Sequence, residues 1–103
     1  MIMTNELVKG YTLELIEALN KCTEDDDPRI RQLFKHTSGK RYLKIIQEVG
    51  GVHAFIDAST GDVYKPAGWA KPAKHIRYNL LDKESRERCL KNADQYGSYL
   101  YMR

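Results

Sequence analysis

The stretch "VHAFIDASTGDVYKP" (52–66) constrains the fold more than any other. It reads as two runs rich in β-branched and aromatic residues joined by Ser59, Thr60 and Gly61, a three-residue hairpin loop with glycine in its left-handed position. A chain with this hairpin must contain an antiparallel sheet. With Ala58 opposite Asp62, Ile56 faces Tyr64 and Phe55 faces Lys65. Side-chain alternation then puts Val52, Ala54, Ile56 and Tyr64 on one face. His53, Phe55, Asp57, Val63 and Lys65 take the other, so both faces carry apolar surface.

The flanks supply the rest of a layered domain. Leu7, Tyr11, Leu15 and Leu19, with Val8 and Ile16 beside them, recur at helical spacing behind a capping Thr4. Gly10 within that helix implies close packing or simple tolerance. Asp27 and Pro28 open a second, shorter helix with Ile30, Leu33 and Phe34 on one side. "KRYLKIIQEV" (40–49) alternates as a strand, and Gly50 and Gly51 turn or bulge into the hairpin. Asp82 caps a helix over 83–95 with Cys89, Leu90 and Ala93 buried, and "SYLYMR" closes as a strand. The expectation is one α+β domain over 1–103, ordered α-α-β-β-β-α-β, its mainly antiparallel sheet covered by helices on one face.

Composition enters through charge. The net charge of +3 is unevenly spread. Residues 1–27 carry seven acids against Lys9 and Lys21, whereas 28–47 carry six cations and 63–81 four, neither with a carboxylate until Glu48 and Asp82 follow them. Cys22 and Cys89 form no CxxC pair and no leader-like segment opens the chain, which points to free thiols in a reducing cytoplasm. No apolar run approaches the roughly 20 residues that cross a bilayer, so no membrane partner is expected.

Between the hairpin and the last helix lies "KPAGWAKPAKHIRYNL" (65–80), long for a connection in so small a domain. Pro66 stops strand pairing and Pro72 stiffens Lys71. Trp69 has two readings, a plug over Phe55 and Val63 or an exposed platform. Lys65, Lys71, Lys74 and Arg77 should point outward, interleaved with Trp69, His75 and Tyr78, the mixture that single-stranded nucleic acid favours. Lys65, Trp69, Lys71, Lys74, His75 and Arg77 are therefore the candidate contact residues.

Catalytic and metal patterns are not apparent. His36, His53, His75, Cys22 and Cys89 lack the short spacings of zinc ligands. His53 and Asp57 share a strand face but lie four residues apart, roughly 13 Å on the extended rise. Neither GxSxG nor a P-loop occurs. No cofactor and no enzymatic activity are expected.

The segments "VHAFID" (52–57), "TGDVYKP" (60–66), "GWAKPAK" (68–74) and "IRYNL" (76–80) resemble a small protein family of tailed bacteriophages and marine viral sequences. The resemblance implies a phage product acting in the cytoplasm of an infected bacterium or packaged in a particle. The resemblance leaves the activity open; beside an enzyme whose site the sequence does not reveal, the residues leave two functions of other classes. One is an accessory protein contacting nucleic acid through residues 63–78 and the basic 29–44 segment. The other is a protein-interaction module, binding a host or phage protein or a second copy of itself.

Overall fold

The computed structural model describes residues 3–24, 29, 33–48, 51–94 and 96–101. It comprises helix α1 (Thr4–Cys22), strands β1 (Phe34–Ser38), β2 (Tyr42–Gln47), β3 (Val52–Asp57), β4 (Asp62–Pro66) and β5 (Pro72–Asn79), helix α2 (Lys83–Asn92) and a 3-10 turn, Ser98–Leu100. The strands form one antiparallel meander in the order β1-β2-β3-β4-β5, so the chain is a small α+β domain with both sheet edges, β1 and β5, in sequence order. Both helices contribute to a single core that includes Leu15 and Leu19 of α1, Ile45 and Ile56 of the sheet, and Cys89 of α2.

Several expectations change. The buried stripe of α1 is Val8, Thr12, Leu15, Ile16 and Leu19, centred about one residue beyond the expected one, with Leu7 left exposed. Thr12 fits because its hydroxyl donates to the Val8 carbonyl at 2.8 Å, which satisfies it within the helix. Met3, not Thr4, occupies the N-cap. Of the expected second helix, opened by Asp27 and Pro28, residues 27, 28 and 30–32 lie outside the described residues, and Phe34 opens β1 instead. Asn20 holds that strand start to the end of α1: its Oδ1 accepts the Phe34 N–H at 2.7 Å and its Nδ2 donates to the Phe34 carbonyl. The segment 72–79, expected as connection, is β5. The expected last strand is the 3-10 turn, entered through Gly97 at φ 77°.

The hairpin itself is offset by one residue. Ile56 pairs with Val63 and Phe55 with Tyr64, and the Asp57 carbonyl accepts the Gly61 N–H at 2.8 Å. The cause is local. The Asp57 carboxylate accepts Ser59 N–H, Ser59 O–H and Thr60 N–H, an Asx-type arrangement that draws Ala58 into the loop. Because side chains alternate, the slip exchanges the residues of β4 between faces. Val63 joins Ala54 and Ile56 in the core, and Tyr64 joins Phe55 on the opposite surface.

A second irregularity repositions His53. Ile45 pairs with Ala54 but Ile46 pairs with Val52, leaving His53 as the extra residue of a bulge. Its ring leaves the Phe55 surface and packs edge-on against Phe34, centroids 4.9 Å apart, with Nε2 2.7 Å from the Tyr99 hydroxyl.

Candidate functional site

The sheet surface opposite the core is built by alternation. Leu43, Ile45, Ala54, Ile56 and Val63 belong to the core, so Tyr42, Lys44, Phe55 and Tyr64 lie on the other side. Pairing sets Lys44 beside Phe55, Phe55 beside Tyr64 and Tyr64 beside Ile76, a row crossing β2 to β5. Tyr42 meets Phe55 and Tyr64 edge-on at 5.8 and 6.1 Å. Phe55 is buried beneath these neighbours, whereas Tyr42, Lys44 and Tyr64 are half-buried and Ile76 is 50% exposed.

Trp69 reaches this surface from the β4–β5 connection. Pro66 pairs with Pro72, and the Lys71 carbonyl accepts both Ala67 N–H and Gly68 N–H, at 2.9 and 3.2 Å. This tight tip turns the indole toward β2, where the Lys44 ammonium sits 4.4 Å from the Trp69 ring centroid and 5.6 Å from that of Phe55. Trp69 is nevertheless 61% exposed. The plug reading is thereby overturned: the loop folds back, but a lysine, not packed hydrocarbon, meets the indole, and most of the ring remains in water.

The carboxylates beside this surface are engaged, whereas, among the described residues, several cations are not. Arg41 is exposed, its guanidinium 5.1 Å over the Tyr42 ring and its Nε 3.3 Å from Asp57 Oδ2. Burial pushes the Asp57 carboxyl up, but hydrogen bonds from Ser59, Arg41 and Thr60 outweigh it and hold it below the ordinary carboxylate range. Asp62 is likewise engaged, by the Thr60 hydroxyl at 2.9 Å and the Asn79 amide at 2.7 Å. Lys40, Lys71 and Lys74 are exposed and make no ion pair among the described residues.

The residues singled out in the sequence divide between two regions. Trp69 stands at the open surface with Lys71 at its loop, and Lys74 and His75 are exposed along β5. Lys65 turns away, its ammonium 4.0 Å over the Tyr101 ring. Arg77 is half-buried and donates from Nε to the Leu100 carbonyl and from Nη1 to the His75 carbonyl. It therefore fastens the C-terminal turn and does not face outward as expected. Lys44, Arg41, Tyr42 and Tyr64 belong to the surface instead. The period-two spacing of "YLKI" (42–45) places Tyr42 and Lys44 together, and Tyr64 needed the observed hairpin register.

Elsewhere, a cavity of about 180 Å³ lies against His53 and is bordered by Lys65, Gly97 and Tyr101. Cys22 is exposed and its thiol donates to the Ala93 carbonyl, while burial pushes the Cys89 thiol up to about 12. Among the described residues no group of three His, Cys, Asp or Glu side chains is arranged to hold a metal ion, and no helix is long and apolar enough to cross a membrane.

The family model for a family of unknown function (DUF7717) matches residues 1–102. The chain belongs to this family. No curated protein and no solved structure matches it. In this DUF7717 member the open surface brings together Trp69, Lys44, Phe55 and Tyr64.

Proposed function

We propose that the protein is a small, non-enzymatic accessory protein of phage type that contacts single-stranded nucleic acid in the cytoplasm of an infected bacterium, without a cofactor. The observation that carries this reading is Trp69, 61% exposed and flanked by the Lys44 ammonium at 4.4 Å. An exposed indole among unpaired cations offers stacking and phosphate contact together. Lys44, Lys71 and Lys74 would hold phosphate and Trp69 would stack, whereas Lys65 and Arg77 serve the C-terminal turn.

The test is fluorescence anisotropy of labelled single-stranded and duplex oligonucleotides, with Trp69 emission followed in parallel. Three phosphate contacts predict a salt slope of about −2, so raising salt from about 50 to about 200 mM should weaken single-strand binding roughly twenty-fold. Salt-independent affinity, or none, would refute the reading.

The alternative, a protein-interaction module for a host or phage protein or a second copy, is favoured by β5, a sheet-edge strand with Ile76 half exposed. Sedimentation showing a dimer that Ile76→Asp dissociates would favour it.

A further inference from the structure

We infer that the open sheet face, and not the hairpin tip alone, is the binding platform, and that it takes two or three consecutive unpaired nucleotides laid across the strands from β2 to β5. This rests on the nucleic-acid reading and specifies its ligand.

The row Lys44, Phe55, Tyr64, Ile76 crosses three inter-strand steps, about 14 Å at the usual strand spacing. That width matches sheet modules whose aromatic residues stack two or three bases. Trp69 overhangs one end of the row at Lys44, and the exposed Ile76 marks the other. Between them Tyr64 and Tyr42 present half-buried rings. Among nucleic acids only an unpaired strand can use such apolar and aromatic surface, because a duplex hides base faces in its own stack.

Charge complements the same ligand. Asp57 and Asp62, the carboxylates that flank the β3–β4 turn beside the row, are already hydrogen-bonded by Arg41, Ser59, Thr60 and Asn79. Lys71 and Lys74 are exposed and unpaired among the described residues. The Lys44 ammonium occupies the position between the Trp69 and Phe55 rings that a base would take. On binding it moves from the π-face to a phosphate, so the cation is exchanged between partners and not stranded.

The experiment compares oligothymidine with a duplex of mixed sequence, reading anisotropy and Trp69 emission on wild type, Tyr64→Leu, Ile76→Glu and Tyr96→Leu. Tyr96 is 83% exposed outside the row and serves as the control. Melting curves verify that each variant is folded, and Ile76→Glu, at an exposed position, carries the test should Tyr64→Leu unfold. The expected result is quenching of Trp69 by oligothymidine, affinity reduced about ten-fold or more by Tyr64→Leu and by Ile76→Glu, little change in Tyr96→Leu, and weaker duplex binding. If oligothymidine binds and quenches Trp69 but Tyr64→Leu and Ile76→Glu bind like wild type, the strand does not cross the sheet and this inference falls while the nucleic-acid reading stands. Equal affinity for the duplex would also overturn it. If neither oligonucleotide binds at any salt, both fall together.

Discussion

His53 should make the protein lose stability between neutral pH and pH 4, in a window that opens above the ordinary carboxylate range. The ring is 7% exposed, wedged between Phe34 and Tyr99, with Nε2 2.7 Å from the Tyr99 hydroxyl. Burial lowers its pKa to about 4, against only a weak opposing pull from Asp94. In the unfolded chain the imidazole takes a proton near pH 6.5, but in the fold it stays neutral until about pH 4. The unfolded state thus binds the extra proton across that interval, and stability falls as pH falls through it. A difference of about 2.5 units corresponds to about 3 kcal/mol at full development, with about 1.4 kcal/mol lost by pH ~5.5 and about 2.5 by pH ~4.5. For a domain whose total stability is on the order of 5–15 kcal/mol, that is a large share.

The assay is urea unfolding at several pH values, followed by far-ultraviolet circular dichroism, since the exposed Trp69 is a poor reporter of the core. His53→Gln is the reference, because it keeps a polar partner for Tyr99 but cannot titrate. Asp57 and Asp94 have depressed pKa values, so their own losses begin only as pH falls through the ordinary carboxylate range and appear equally in both proteins. Subtracting the two pH profiles should leave the His53 curve. A flat difference between pH ~6.5 and pH ~4.5 would refute the argument.

Other consequences can be checked on the same preparations. Trp69→Ala should change stability by less than about 1 kcal/mol in denaturant unfolding, because the indole is mostly solvated, while weakening oligonucleotide binding read by anisotropy about five-fold or more. Gly10→Ala should stabilise by up to about 1 kcal/mol, since a Cβ there meets nothing within 4 Å. Gly61→Ala should destabilise by at least about 1–2 kcal/mol: φ is +79° and a Cβ would lie 3.1 Å from Leu81 Cγ and 3.2 Å from its backbone nitrogen. With a disulfide reagent, Cys22 should react promptly and Cys89 only on unfolding, as exposure and the raised thiol pKa of Cys89 require.

The parts of the fold that were legible in the sequence are those fixed by local pattern. Helix α1, strands β2 to β4 and the left-handed Gly61 follow from spacing and turn chemistry. What failed depended on competition between neighbours. "PAKHIRYN" (72–79) lacks apolar alternation because β5 is an edge strand with much of its length facing water, so a strand looked like a loop. Asn79 illustrates what such a reading misses. Its amide donates to the Thr60 carbonyl and to Asp62, and its Oδ1 accepts Leu81 N–H and Asp82 N–H. One side chain joins the β3–β4 turn, the end of β5 and the entry to α2, through contacts that no periodicity encodes.

The candidate surface was altered by the same two causes, a one-residue slip and a bulge. Had Ala58 paired with Asp62, Val63 would have faced outward and Tyr64 inward, and the open face would have held aliphatic surface beside His53. The Asp57 carboxylate, by lengthening the turn, instead delivers Tyr64 to the open face, and the bulge removes His53 to the core. Register breaks between Val63 and Pro66 act similarly on β5: Arg77 falls between the residues paired with Val63 and Tyr64 and turns to the Leu100 carbonyl. The cations of residues 65–77 are thus divided, Lys65 and Arg77 supporting the C-terminal turn, Lys71 exposed in the loop that carries Trp69 and Lys74 exposed on β5. A basic stretch in a β-rich sequence is therefore two populations until register is known, and only the outward one has charge to offer a ligand.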